Sequence, residues 1–138
     1  MKKLRVLLVD DEIMIREGFK RLFDWETHDC EVVGEAADGM EALAKIDTLR
    51  PDIAIMDINI PIMNGLKVIQ MPVMNGYAAA RAIRAMNRNY CKKIPIVAMT
   101  ANAFAEDVLA AKTVGMNEHI AKPLDLKNLA RTLNRWLR

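Results

Sequence analysis

Pro51-Asp52-Ile53-Ala54-Ile55-Met56-Asp57 is the stretch on which the fold turns. It is short, almost wholly apolar, entered through a proline and closed by a carboxylate. An isoleucine-rich run of this length reads as a strand buried on both faces of a parallel sheet. An aspartate at its C-terminal end then stands where open α/β sheets hold their ligands, just outside the carboxyl edge of the strands.

Working outward, the same pattern recurs. Leu4 to Val9 is a first buried strand ending in Asp10-Asp11-Glu12, and Glu31 to Ala36 a second. Ile94 to Met99 is a fourth, running into Thr100, and Glu118 to Ala121 a short fifth, running into Lys122-Pro123. Between them the apolar period changes to that of helices. Ile15, Phe19, Leu22 and Phe23 mark one helix; Ala42, Leu43, Ile46 and Leu49 mark a second, with Asp38 as its N-cap and Pro51 ending it. Ala78 to Met86 is helix-forming, Phe104, Val108 and Leu109 begin a further helix closed by Gly115, and Asp125 caps a last one carrying Leu126, Leu129, Leu133 and Trp136. Strands alternating with helices predict an α/β doubly wound three-layer sandwich around a parallel sheet.

The 138 residues form one domain, with 52% hydrophobic and 28% charged residues, an ordinary globular balance. A net charge of +2 is too small to argue for nucleic acid or an acidic membrane, and neither is expected as a direct partner. The basic residues Lys127, Arg131, Arg135 and Arg138 read as a solvated helix face. Met1-Lys2-Lys3 leads into only a short apolar run, unlike a secretory signal, and nothing approaches the roughly 20 apolar residues of a membrane span. Cys30 and Cys91 lack metal-ligand spacing, which suits a cytoplasmic protein with reduced thiols.

The strand ends bring Asp10, Asp11, Asp57, Thr100 and Lys122 to one sheet edge. Clustered carboxylates repel unless a cation holds them, and oxygen-only ligands point to a hard ion, Mg²⁺ above all. A lysine ammonium and a threonine hydroxyl suit the oxygens of a phosphoryl group, and a carboxylate can be its nucleophilic acceptor. Singly, each residue reads as a turn, a cap or strand-end packing; their joint placement at four strand ends is the signal.

On these motifs the chain closely resembles the receiver domains of two-component response regulators. Val6-Leu7-Leu8-Val9-Asp10-Asp11-Glu12 is similar to the family's acidic pair, and Met56-Asp57-Ile58-Asn59-Ile60-Pro61-Ile62-Met63-Asn64-Gly65 to its acceptor strand and loop. Ala98-Met99-Thr100-Ala101 and His119-Ile120-Ala121-Lys122-Pro123 resemble its hydroxyl and lysine motifs. The resemblance implies a flavodoxin-like sheet of five strands in the order 2-1-3-4-5. It implies that Asp57 takes a phosphoryl group from a histidine kinase or phosphotransfer protein, with Thr100 and Lys122 on the phosphoryl oxygens. Asp10, Asp11, Asp57 and the carbonyl of Asn59 would hold Mg²⁺. Thr100 and the residue three before the lysine, here His119 in place of the usual aromatic, would switch a partner-binding surface. His119 read alone would merely cap a sheet edge.

The middle of the chain carries a repeat. Pro61-Ile62-Met63-Asn64-Gly65 returns as Pro72-Val73-Met74-Asn75-Gly76, 11 residues later. Aligned, the second copy has Val68 where Asp57 stands, so the first copy is expected to form the site, with an apolar insert at about 66–76 and the next helix from about Tyr77. The insert would pack on the domain or against a second copy in a homodimer. The chain up to about Gln70 resembles receivers that precede helix-turn-helix output domains; from about Met71 it resembles those of hybrid sensor kinases. A joining of two receivers with an overlap, or a natural duplication, gives such an arrangement.

A receiver is a phosphorylation-dependent binding module that promotes only its own phosphotransfer and dephosphorylation, and it acts through an output domain or effector outside this chain. Two other readings exist: a receiver-like scaffold impaired by the insert, and a Mg²⁺-dependent phosphatase of the haloacid-dehalogenase type. The latter resembles Asp-x-Asp at the nucleophile, whereas this chain has Asp57-Ile58-Asn59. No Walker-type glycine loop supports a nucleotidase.

Overall fold

A computed structural model of the chain describes residues 3–58, 76–86, 88–100, 105–121 and 126–136. Five parallel strands run β1 (Leu4–Val9), β2 (Cys30–Ala36), β3 (Ile53–Asp57), β4 (Ile96–Thr100) and β5 (Glu118–Ala121). They lie in the order β2-β1-β3-β4-β5. The helices are α1 (Ile13–Leu22), α2 (Gly39–Leu49), α3 (Gly76–Ala85), α4 (Asn89–Lys93), α5 (Ala105–Thr113) and α6 (Leu126–Trp136). This is the doubly wound, flavodoxin-like sandwich expected from the strand–helix alternation.

The central strands β1, β3 and β4 are largely apolar on both sides because both sides are covered. Successive side chains of a strand point to opposite faces. Ala54, Met56, Ile96 and Ala98 join Ala42, Ile46, Ala79, Ala80 and Ile83 in one core, packed against α2 and α3. Ile53, Ile55, Val97 and Met99 join Phe19, Phe23, Leu129 and Leu133 in the other, against α1 and α6. Every β3 residue is buried. At about 1.5–3 kcal/mol for each large side chain removed from water, the central strands hold much of the fold's stability.

The helix ends follow local chemistry. Asp38 accepts the Glu41 N–H at 2.8 Å, capping α2 as its sequence position predicts. That helix ends at Arg50, in the left-handed region at φ 48°, directly before Pro51. Gly115, at φ 95°, supplies the left-handed turn after α5, where a side chain would be strained. Arg84 of α3 clamps the same turn. It donates to the Gly115 carbonyl at 2.8 and 3.1 Å, to Asn117 Oδ1 at 2.9 Å and to the Cys91 carbonyl at 3.0 Å. Burial of its guanidinium pushes its pKa down from the ordinary arginine value.

The structure corrects several sequence expectations. Leu22 and Leu109 are exposed, so α1 is anchored by Phe19 and Phe23, with Ile15 half-buried. Leu126 is also exposed, and α6 is held by the fully buried Leu129 and Leu133. The α4 turn was not expected, since five residues are too few to show a period. Phe104, the side chain of Val108, Asp125 and Arg138 lie outside the described residues, as does the 66–75 part of the expected insert. Gly76, at the end of that insert, is the first residue of α3.

Candidate functional site

Parallel pairing sets the geometry of the carboxyl edge. Val9 pairs with Met56, so Asp10 follows β1 alongside Asp57, the last residue of β3. Asp57 pairs with Met99 of β4, and Thr100 pairs with Ala121 of β5. Asp10, Asp57 and Thr100 are all buried, at 1%, 3% and 3% exposure, polar groups next to an apolar core. Buried carboxylates on neighbouring strands are costly without a compensating charge or donors, so their placement marks a site. Lys122 directly follows Ala121, and Asn59 follows Ile58; both lie outside the described residues.

The loop after β1 is held from both sides. Asp10 Oδ1 accepts the Glu12 N–H at 3.0 Å, which fixes the turn into α1. From α1, Arg16 donates to the Asp10 carbonyl and, at 2.9 Å, to Glu35 on β2. Lys20 meets the other Glu35 oxygen at 2.7 Å. Burial raises the Glu35 pKa, but the hydrogen bonds from Lys20 and Arg16 outweigh it and hold the carboxyl below the usual glutamate range.

Carboxylate oxygens of Asp10, Asp11 and Glu12 lie within 4.8 Å of one another. The donor set is all oxygen, with Asp10 buried and Asp11 and Glu12 exposed, and it fits a hard, partly hydrated cation such as Mg²⁺. Glu12 was missed as a member of this trio, although its adjacency to Asp10-Asp11 was the available signal. Asp57 is not among the three; it stands across from Asp10 on the next strand.

The other wall of the edge is α3. The Gly76 N–H donates to the Ile58 carbonyl at 3.0 Å, and the Ile58 N–H donates to Met99 at 3.1 Å. A Cβ at Gly76 would lie 2.5 Å from Ile58 Cα and 2.6 Å from the Asp57 carbonyl oxygen. β3 and its Asp57 thus precede the first copy of the repeat, but the glycine seated against the end of that strand is that of the second. The first copy's loop, 61–65, lies outside the described residues.

His119 is exposed on β5, paired with Ala98. It lines a groove of about 440 Å³ between α5, β5 and α6, with Lys112, Asn117, Asn128 and Arg135. Glu118 at the same place accepts from Arg135 at 2.6 Å and from the Trp136 indole.

Comparison with known proteins agrees with this geometry. The sequence model of the response regulator receiver domain matches residues 6–70 and again 68–134. A protein-glutamate methylesterase/protein-glutamine glutaminase of Geobacillus kaustophilus is 35% identical over 89% of this chain and 31% of its own length. Chemotaxis response regulator CheY4 of Vibrio cholerae superposes with a TM-score of 0.80 at 32% identity, over 99% of this chain and 100% of its own. The receiver domain of sensor histidine kinase PA1611 from Pseudomonas aeruginosa, solved with a magnesium ion in its active-site cleft, gives 0.76 at 30% identity over 97% of each chain. The chain spans between 16% and 49% of the length of curated relatives it matches. With the parallel sheet, the buried aspartates at its edge and two family matches that together run from residue 6 to 134, this chain belongs to the response regulator receiver domain family.

Proposed function

We propose that Asp57 is the phosphoacceptor of this receiver and that Asp10, Asp11, Asp57 and the Asn59 carbonyl hold the Mg²⁺ it uses. The observation that carries this reading is the buried Asp57 at the end of β3, in register beside the buried Asp10. One carboxylate oxygen of Asp57 attacks the phosphorus of a phosphohistidine. The P–N bond breaks, its electron pair leaves with the imidazole nitrogen, which takes up a proton, and an aspartyl phosphate remains. When bound, Mg²⁺ neutralises charge on the transferring group. Lys122 binds one phosphoryl oxygen and the Thr100 hydroxyl donates to another, so the chain contributes positioning and electrostatics.

The donor is a histidine kinase or phosphotransfer protein. Phosphorylation draws Thr100 inward, and His119, exposed at the groove between α5, β5 and α6, carries the change to a partner-binding surface. The partner is an output domain or effector outside this chain. Apart from its own phosphorylation and dephosphorylation the domain catalyses nothing. Its setting is the cytoplasm, where a histidine kinase would meet it; among the described residues no helix is long and apolar enough to cross a membrane.

The test is labelling with acetyl phosphate and Mg²⁺, read by phosphate-affinity electrophoresis. Wild type should be modified and Asp57→Asn should not. A folded but unlabelled wild type would favour the impaired scaffold, and steady turnover of a phosphate ester would favour a phosphatase.

A further inference from the structure

The repeat offers two glycines in the same local context, Gly65 and Gly76, 8 and 19 residues beyond Asp57. Only one can occupy the seat on the acceptor strand, and Gly76 occupies it. The seat is demanding: the atoms a Cβ would strike, Ile58 Cα and the Asp57 carbonyl oxygen, are backbone and cannot swing aside. Because Ile58 is also bonded to Met99 of β4, a side chain there must push α3 off the sheet or pull the Asp57–Ile58 peptide out of line. The two family matches change over at residues 68–70, so the first contains Asp57 and the second contains Gly76 and α3. Removing residues 61–71 would leave Asp57-Ile58-Asn59-Ile60 joined to Pro72-Val73-Met74-Asn75-Gly76, which restores the 8-residue spacing with an intact motif.

We infer that the working site is spliced across the repeat: Asp57 precedes the first copy, Gly76 of the second is the residue that positions α3 against it, and residues 61–71 are a supernumerary unit that phosphoryl acceptance does not need. The role given to Gly76 in the reaction rests on Asp57 being the acceptor; its seating does not.

Three variants decide the matter: Gly76→Ala, Gly65→Ala and a chain lacking residues 61–71. Each is read by thermal unfolding and by the rate of Mg²⁺-dependent labelling with saturating acetyl phosphate, well below the melting temperature. Gly76→Ala should lower Tm by about 3 °C or more and slow labelling of the folded protein by about 10- to 100-fold through misplacement of the acceptor. Gly65→Ala should change neither, and the shortened chain should fold and label at least as fast as wild type. A damaging Gly65→Ala beside a neutral Gly76→Ala would overturn the assignment of the seat. A shortened chain that fails to fold or label would overturn the claim that 61–71 is supernumerary. Should Gly76→Ala fail to fold, the seat is confirmed by its contrast with Gly65→Ala, and the shortened chain decides the rest. If wild type is never labelled while the Tm pattern holds, the acceptor reading falls and the seating stands.

Discussion

At the scale of single residues, the site is built by burying charge where the sheet ends. Asp10 is buried and fixed by the Glu12 N–H, so its carboxylate is oriented before any cation arrives. Asp10→Asn should weaken Mg²⁺ binding by about 10-fold or more, measured by titration calorimetry, since ligand charge and orientation both set affinity. Glu35 makes a pH prediction. Its folded pKa lies below the usual range, so its contribution to stability is present above that range and is lost as pH falls through the lowered value. Glu35→Gln should therefore remove part of the acid destabilisation seen in melts between neutral and acidic pH. The aspartates were legible because each ends an apolar run. Glu12 was not, because an acidic residue opening a helix ordinarily serves the helix dipole. Gly76 was not, because Gly65 ends the same Pro-x-Met-Asn-Gly motif and the fold distinguishes them.

At the scale of elements, burial decides which contacts matter. Ile55 is fully buried at the centre of β3, so Ile55→Ala should cost about 2–5 kcal/mol in denaturant unfolding. Leu22, although apolar and in helical register with Phe19, is 72% exposed, and Leu22→Ala should shift stability by less than about 0.5 kcal/mol. The helical period was legible in α1, but which edge of its apolar stripe meets the sheet depends on how the helix lies across it. Arg84 shows what a pattern of periods does not reveal. Its hydrogen bonds tie α3 to α4 and to the turn after α5, and Arg84→Ala should destabilise the fold by about 2 kcal/mol or more.

At the scale of the whole molecule, five parallel strands alternating with helices leave few topologies, and the order β2-β1-β3-β4-β5 brings residues from distant parts of the chain to one edge. The fold was thus largely readable from the strand pattern and its resemblance to a known family. The site was readable as far as the strand ends carry it, with Asn59 and Lys122 just beyond the described residues. The central claim is that the aspartate at the end of β3 accepts the phosphoryl group. Borohydride reduces an aspartyl phosphate to homoserine, which peptide mass spectrometry can locate after treatment with acetyl phosphate and Mg²⁺. The account predicts homoserine at residue 57 and nowhere else; homoserine at Asp10, Asp11 or Asp52, or none in a folded protein, would contradict it.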